Sequence, residues 1–341
     1  MKILWLSPST NNVATFLGSL QGLGEHDVQV LNYDRKWHMA ANEMVQQNPG
    51  YREEIQYGFR HIPRERCAMD ADMLMEAKVQ KPDVVIYISA WQGDFVPLNE
   101  TLGELNSISP TVHFLCDGGD PPWWPQLEEF ERRGTFTTTV NIDGCMDWPG
   151  GPWWRGAIDA SISNGMTLLT PVDVNKFRAP NPLAFHERPY GIGYAGNRGQ
   201  PVRDALVNRL QSIRGFQFRE RDQHPLSYQQ FAEFLKFTQV SVNVPFTGSQ
   251  TARHVKGRVL ESGFAGCCLL EWKNEATRHW FTPRAEYFEY ESIEECAELA
   301  EWLAHHPKIA EETARSLTDR VTKEHGPEVF WDRVLTAAIR K

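Results

Sequence analysis

Short runs of apolar residues, each too brief for a helix and apolar on both faces, recur along this chain with helical patterns between them. They stand at 3–6, 84–88 and 112–116 in the first half and at 267–270 in the second, with further short strands at 28–31, 190–196, 216–218 and 240–244. A strand buried on both faces belongs to a parallel sheet covered by helices on each side. The intervening patterns supply those helices: Val13, Phe16, Leu17 and Leu20 repeat at helical spacing, as do Val202, Leu206, Leu210 and Ile213. Ser227 with Gln230, and Ser292 with Glu295, have the spacing of helix N-caps, and Gly326-Pro327 opens a terminal helix. At 341 residues the chain exceeds one ordinary α/β core. The expected fold is therefore α/β, two Rossmann-like doubly wound domains in series. The boundaries read as 1–172 for the N-terminal domain, 173–189 for a linker punctuated by Pro180, Pro182 and Pro189, 190–326 for the second domain, and 327–341 for the terminal helix.

Composition excludes several classes. An apolar share of 41% with 23% charged residues is that of a globular protein and not a disordered one. No stretch reaches the roughly 20 apolar residues of a membrane span, and the apolar start gives way to polar residues too early for a signal peptide, so a cytoplasmic location is expected. The six cysteines form no Cys-x-x-Cys pair and no zinc spacing, and no metal site is expected. A net charge of −9 disfavours broad attraction to nucleic acid.

Ligands of doubly wound sheets bind beyond the carboxyl ends of the strands, and three loops there carry chemistry. The first, Gly193 to Arg203, has glycines at 193, 196 and 199 with Arg198 and Arg203 close by. Glycines admit backbone N–H groups to a phosphate, a helix N-terminus favours negative charge, and arginine adds directed donors; a tight turn with solvated arginines has the same spelling. The second is rich in small and hydroxyl residues, Gly248, Ser249 and Thr251, and leads into a helical pattern over 253–264 that carries Arg253, Lys256, Arg258 and Glu261. Cations in a first helical turn oppose the helix dipole unless an anionic ligand answers them; the alternative is an exposed basic helix. In the third, Asp117 follows the strand at 112–116, as a general base facing a cleft or as a turn cap beside Gly118 and Gly119. His113 reads as a packing residue.

Five of the twelve tryptophans fall between 123 and 154 in proline-rich, irregular chain. Trp123, Trp124, Trp153 and Trp154 suit an acceptor platform that stacks on sugar rings, or an apolar cluster beneath a long loop.

The stretch from Lys256 to Leu270 resembles the Arg-x-Phe-Glu-Ala-x-Ala-Cys-Gly signature of GT-B glycosyltransferases, especially the group similar to the spore-maturation protein CgeB. Tyr290 to Leu299 with His305-His306-Pro307, the segment from Phe234 to Pro245, and Leu169 to Phe177 resemble further segments of that group. The resemblance covers most of 165–335; residues 1–110 share only the strand and helix texture.

The resemblance implies two domains facing across a cleft and transfer of a sugar from a nucleoside diphosphate sugar, UDP-linked, without a metal or other cofactor. It implies that Glu261 accepts hydrogen bonds from the donor ribose, in preference to pairing with Arg258 on one helix face. It also sets Arg258 and the Gly248, Ser249 and Thr251 loop near the diphosphate, and makes Gly196, Arg198 and Arg203 a second phosphate-facing loop. Arg253 stands where retaining relatives of the glycogen synthases carry another Glu, so the stereochemical outcome stays open. A glycan, small molecule or protein is the expected acceptor, with a modified base in DNA as the alternative. An epimerase of the same architecture, or a non-catalytic nucleotide-sugar or glycan-binding protein, would share these features.

Overall fold

The computed structural model describes residues 1–7, 11–33, 63–88, 97–116, 133–144, 165–220, 226–246 and 253–339. The N-terminal part contains β1 (Lys2–Ser7), α1 (Asn11–Gln21), β2 (Asp27–Asn32), α2 (Pro63–Gln80), β3 (Val84–Ile88), α3 (Asn99–Ile108), β4 (Thr111–Leu115), β5 (Thr138–Asn141) and β6 (Gly165–Thr167). Its six strands are parallel, in the order β2-β1-β3-β4-β5-β6. Short α4 (Val174–Phe177) lies in the crossover. Then come β7 (Tyr190–Gly196), α5 (Pro201–Leu210), β8 (Phe216–Glu220), α6 (Tyr228–Lys236), β9 (Thr238–Asn243), α7 (Gly257–Ala265), β10 (Cys268–Trp272), α8 (Glu275–Trp280) and β11 (Phe288–Tyr290). This second sheet is also parallel, in the order β11-β10-β9-β7-β8. Three helices close the chain: α9 (Ile293–His305), α10 (Pro307–Glu324) and α11 (Pro327–Ile339).

The apolar runs explain this arrangement directly. In β1, Ile3 and Trp5 enter one buried cluster while Leu4 and Leu6 enter another on the opposite face. The same split divides Leu269 from Cys268 and Leu270 in β10. Strands apolar on both faces must be covered twice, and the helices between them do so.

The last helix returns to the first sheet. Trp331 of α11 is buried against Trp5 and Phe114, with ring centroids 6.0 and 5.6 Å away, and its Nε1–H donates to Ser19 Oγ of α1 at 2.9 Å. The chain thus crosses between the sheets near residues 168–189 and again between α10 and α11. The end of β5 also reaches the second sheet: Val255 N–H donates to Asp143 O at 2.8 Å, and Trp280 Nε1–H to Gly144 O at 2.7 Å. Gly144 adopts φ +67°, and a Cβ there would come within 2.5 Å of Leu169 and 2.9 Å of Val255. Only glycine fits this junction without strain.

The helical pattern over 253–264 is shorter in the structure than in the sequence. Residues before Gly257 are extended, and Lys256 is the N-cap, with φ −69° and ψ 149°. Tertiary bonds override the periodicity here, because His254 N–H donates to Pro245 O, Val255 N–H to Asp143 O, and Arg253 Nη1–H to Lys273 O. The caps at Ser227 and Ser292 form as the spacing predicts: Ser227 Oγ accepts from Gln230 N–H and Ser292 Oγ from Glu295 N–H.

Candidate active site

The carboxyl ends of β7, β8 and β9 and the start of α7 converge on the ring of Tyr194. Arg258, in the first turn of α7, sets its guanidinium 5.8 Å from the Tyr194 centroid and 5.2 Å from that of Phe231. Arg198 lies over Phe218 at 5.2 Å, and Phe218 stacks on Tyr194 with centroids 6.0 Å apart. Arg203, at the start of α5, donates from Nη2 to Phe246 O at 3.5 Å. Burial raises the Tyr194 phenol above its ordinary range, while the positive charges of Arg258 and Arg203 pull it down. Three cations from two segments therefore gather at one end of the second sheet, where a doubly wound sheet takes its ligand.

Glu261 lies one turn along α7 from Gly257. Its Oε1 is 3.5 Å from the Tyr228 hydroxyl, and a Cβ on Gly257 would sit 3.8 Å from its carboxyl. Tyr228, at the start of α6, also bonds through its hydroxyl to Thr15 of α1 in the N-terminal part. Burial and the Glu261 carboxylate both push its phenol far upward, so it stays protonated as a hydrogen-bond donor. Glu261 is half-buried at the seam between the two sheets. The α7 N-terminus has no side-chain cap, leaving its first N–H groups directed toward this seam. Arg258, Lys256 and Glu261 thus stand at the start of α7, and a helix N-terminus favours an anionic ligand.

The glycines of the first loop have packing duties. A Cβ at Gly193 would lie 2.8 Å from Phe234 and Thr238, and one at Gly196 would lie 2.7 Å from the Tyr194 hydroxyl. Gly199 takes φ +88°, and its N–H donates to Asp204 Oδ1 at 3.2 Å. The absent side chain at Gly196 leaves room for the Tyr194 hydroxyl. Asp117, Trp123, Trp124, Trp153, Trp154, Gly248, Ser249 and Thr251 lie outside the described residues. His113 is a packing residue: it stacks on Phe136 at 4.6 Å and Tyr87 at 5.6 Å, and burial pushes its imidazole down to about 3.

Behind Arg258 lies a carboxyl that sequence reading does not single out. Glu271 of β10 is fully buried and accepts from Asn243 Nδ2 at 2.6 Å and from Thr277 Oγ1 at 3.3 Å. Burial pushes it up to about 7 although these bonds and Arg258 pull the other way. Tyr194 and Tyr228 also escape sequence reading, since an aromatic in a strand or at a helix start has the pattern of a core residue. Among the described residues no three His, Cys, Asp or Glu side chains gather as a metal site, and no helix is long and apolar enough to cross a membrane. A cavity of about 260 Å³ at the crossover, lined by Gly18, Asp173, Arg178 and Glu328 among others, holds none of these residues.

Residues 200–336, which carry Arg203, Lys256, Arg258 and Glu261, match the family described as glycosyl transferase-like. The fold is similar to that of HepE from Anabaena in complex with UDP and glucose, at 12% identity and a TM-score of 0.60, over 99% of this chain and 98% of that one. A glycosyltransferase from Rickettsia africae is similar over 98% of this chain and 97% of its own, at 8% identity and a TM-score of 0.63. An alpha-glucosyltransferase in complex with UDP-glucose and DNA containing an abasic site is similar at 10% identity and a TM-score of 0.57, over 98% and 99% of the two chains. No curated protein matches the sequence. The two-sheet architecture is that of the GT-B fold, and the glycosyl transferase-like match falls on residues 200–336 of its second half.

Proposed function

We propose that this enzyme moves a sugar from a nucleoside diphosphate sugar, UDP-linked, to a hydroxyl acceptor, and that the second sheet holds the donor. The observation that carries this reading is the gathering of Arg258, Arg203 and Arg198 about Tyr194, with Glu261 one turn along the same uncapped helix. In this reading the arginines, with Lys256, neutralise the diphosphate, and Glu261 accepts from the ribose hydroxyls. Negative charge grows on the leaving diphosphate as the glycosidic bond breaks, so fixed cations and directed N–H groups stabilise the transition state more than the ground state. Arginine suits the task because its planar fork meets two phosphate oxygens together. Neither a metal nor another cofactor takes part. Gly248, Ser249 and Thr251 complete the phosphate loop, and the chain is grouped with the CgeB-like glycosyltransferases. UDP complexes of similarly folded enzymes support the choice of nucleotide.

On the acceptor side, Asp117 serves as general base for an inverting transfer, and Trp123, Trp124, Trp153 and Trp154 form the platform. A glycan, a small molecule or a protein is the acceptor, and the reaction takes place in the cytoplasm. A modified base in DNA is the second reading. It is favoured by the DNA-bound alpha-glucosyltransferase of similar fold and opposed by the net charge of −9. Thermal-shift titration with UDP-, GDP- and TDP-sugars, followed by assay of hydrolysis of the tightest binder, tests the proposal. A shift with UDP-sugars and slow release of UDP supports it. Absence of any nucleotide-dependent shift contradicts it.

A further inference from the structure

The donor-side lysine is held by a residue chain that starts in the other half of the molecule. Asp143 follows β5 of the first sheet, and its Oδ1 lies 3.1 Å from His254 Nδ1. On the far side of the same ring, His254 Nε2 meets the Lys256 ammonium. Both His254 and Asp143 are buried, at 2% and 6% exposure, whereas Lys256 is half-exposed. The backbone around the pair is fixed from several directions: Val255 N–H donates to Asp143 O, His254 N–H to Pro245 O, and Asn274 Nδ2–H to His254 O at 3.3 Å.

Protonation states in this chain follow from chemistry alone. An ammonium has only donors, so His254 Nε2 must present its lone pair to Lys256. The other ring nitrogen, Nδ1, faces the Asp143 carboxylate at 3.1 Å, so Asp143 sits against the ring that meets the Lys256 ammonium.

We propose that Asp143 and His254 are positioning residues that fix Lys256 for the donor diphosphate, so that the first sheet contributes to donor binding through the second. This rests on the donor-site reading above. Because Asp143 is on the opposite sheet, lysine placement depends on the two sheets keeping the contact at Gly144 and Val255.

The test is a double-mutant cycle in UDP affinity by calorimetry, paired with donor KM and kcat on the best donor. Lys256→Ala is expected to weaken UDP binding about tenfold. His254→Ala should weaken it nearly as much, and adding it to Lys256→Ala should cost little more, because the two act through one group. Asp143→Ala loosens the His254 ring and should lower donor kcat/KM about tenfold with part of the loss in kcat, while Asp143→Asn, which keeps a side chain of the same shape against the ring, should recover most of it. His254→Phe removes the acceptor toward Lys256 while keeping a ring, and serves where the alanine variant folds poorly. Additive losses in the cycle, or full UDP affinity in folded His254→Phe and Asp143→Ala alongside a weakened Lys256→Ala, would overturn the positioning role and leave the donor site standing. A wild-type protein that does not bind UDP would overturn both.

Discussion

Arg258 holds its guanidinium over the ring of Tyr194, 5.8 Å from the centroid, and so joins the helix of Glu261 to the strand that ends at Gly196. The contact keeps a cation at the mouth of the second sheet, where the proposed diphosphate would meet it.

Glu261 should confer selectivity for the ribose hydroxyls. Wild-type protein is expected to bind UDP more tightly than its 2′,3′-dideoxy analogue by roughly 10- to 100-fold, the value of hydrogen bonds to a charged acceptor. In Glu261→Ala the two ligands should bind almost equally. A preference of unchanged size in the variant, measured by calorimetry, would remove the carboxylate from the ribose site.

Stability should respond to pH through Glu271. An unfolded glutamate ionises near 4.5, whereas burial lifts this one to about 7 in the folded protein. Between those values the folded state keeps a proton that the unfolded state has lost, so stability falls as pH rises through the window, by on the order of 3 kcal/mol in full. The contribution is intact below the lower value and gone above the upper one. Glu271→Gln cannot ionise, and relative to wild type it should be more favourable at pH 8 than at pH 5 in denaturant unfolding. A difference that stays constant with pH would contradict the assignment.

Trp331 ties the end of the chain to the first sheet, through the rings of Trp5 and Phe114 and the hydrogen bond to Ser19. Removing a buried indole costs about 3 to 5 kcal/mol. Trp331→Ala is expected to lower the melting temperature by roughly 10 °C, with Trp331→Phe in between. Equal melting temperatures for wild type and Trp331→Ala would mean that the last helix adds nothing to the first sheet.

Much of the scaffold is legible in the sequence because its signals are local. Runs such as 84–88 are apolar on both faces, and Ser227 and Ser292 cap helices through residues three positions on. Glu261, Arg258 and Lys256 are legible for a similar reason, since one contiguous segment carries all three. The start of α7 is not, because bonds from Asp143 and Pro245 hold 254–255 extended against its helical periodicity. Nor is the pairing of Asp143 with His254, which only the packing of one sheet against the other brings together. Tyr194 and Tyr228 are spelled like core aromatics, and their roles depend on the cations and the carboxylate placed beside them. The glycines at 193 and 196 also have packing roles that their spacing does not reveal, each making room for a neighbouring side chain.

Calorimetric titration of UDP into wild type and Arg258→Met tests the donor site most directly. The methionine keeps a flexible apolar stem over Tyr194 and Phe231 while deleting the charge, so the fold is preserved and the phosphate contact is not. The donor-site account predicts saturable one-to-one binding by wild type and a loss of about 1.5 to 3 kcal/mol, roughly 10- to 100-fold, in the variant. Equal affinity of the two proteins for UDP would contradict it.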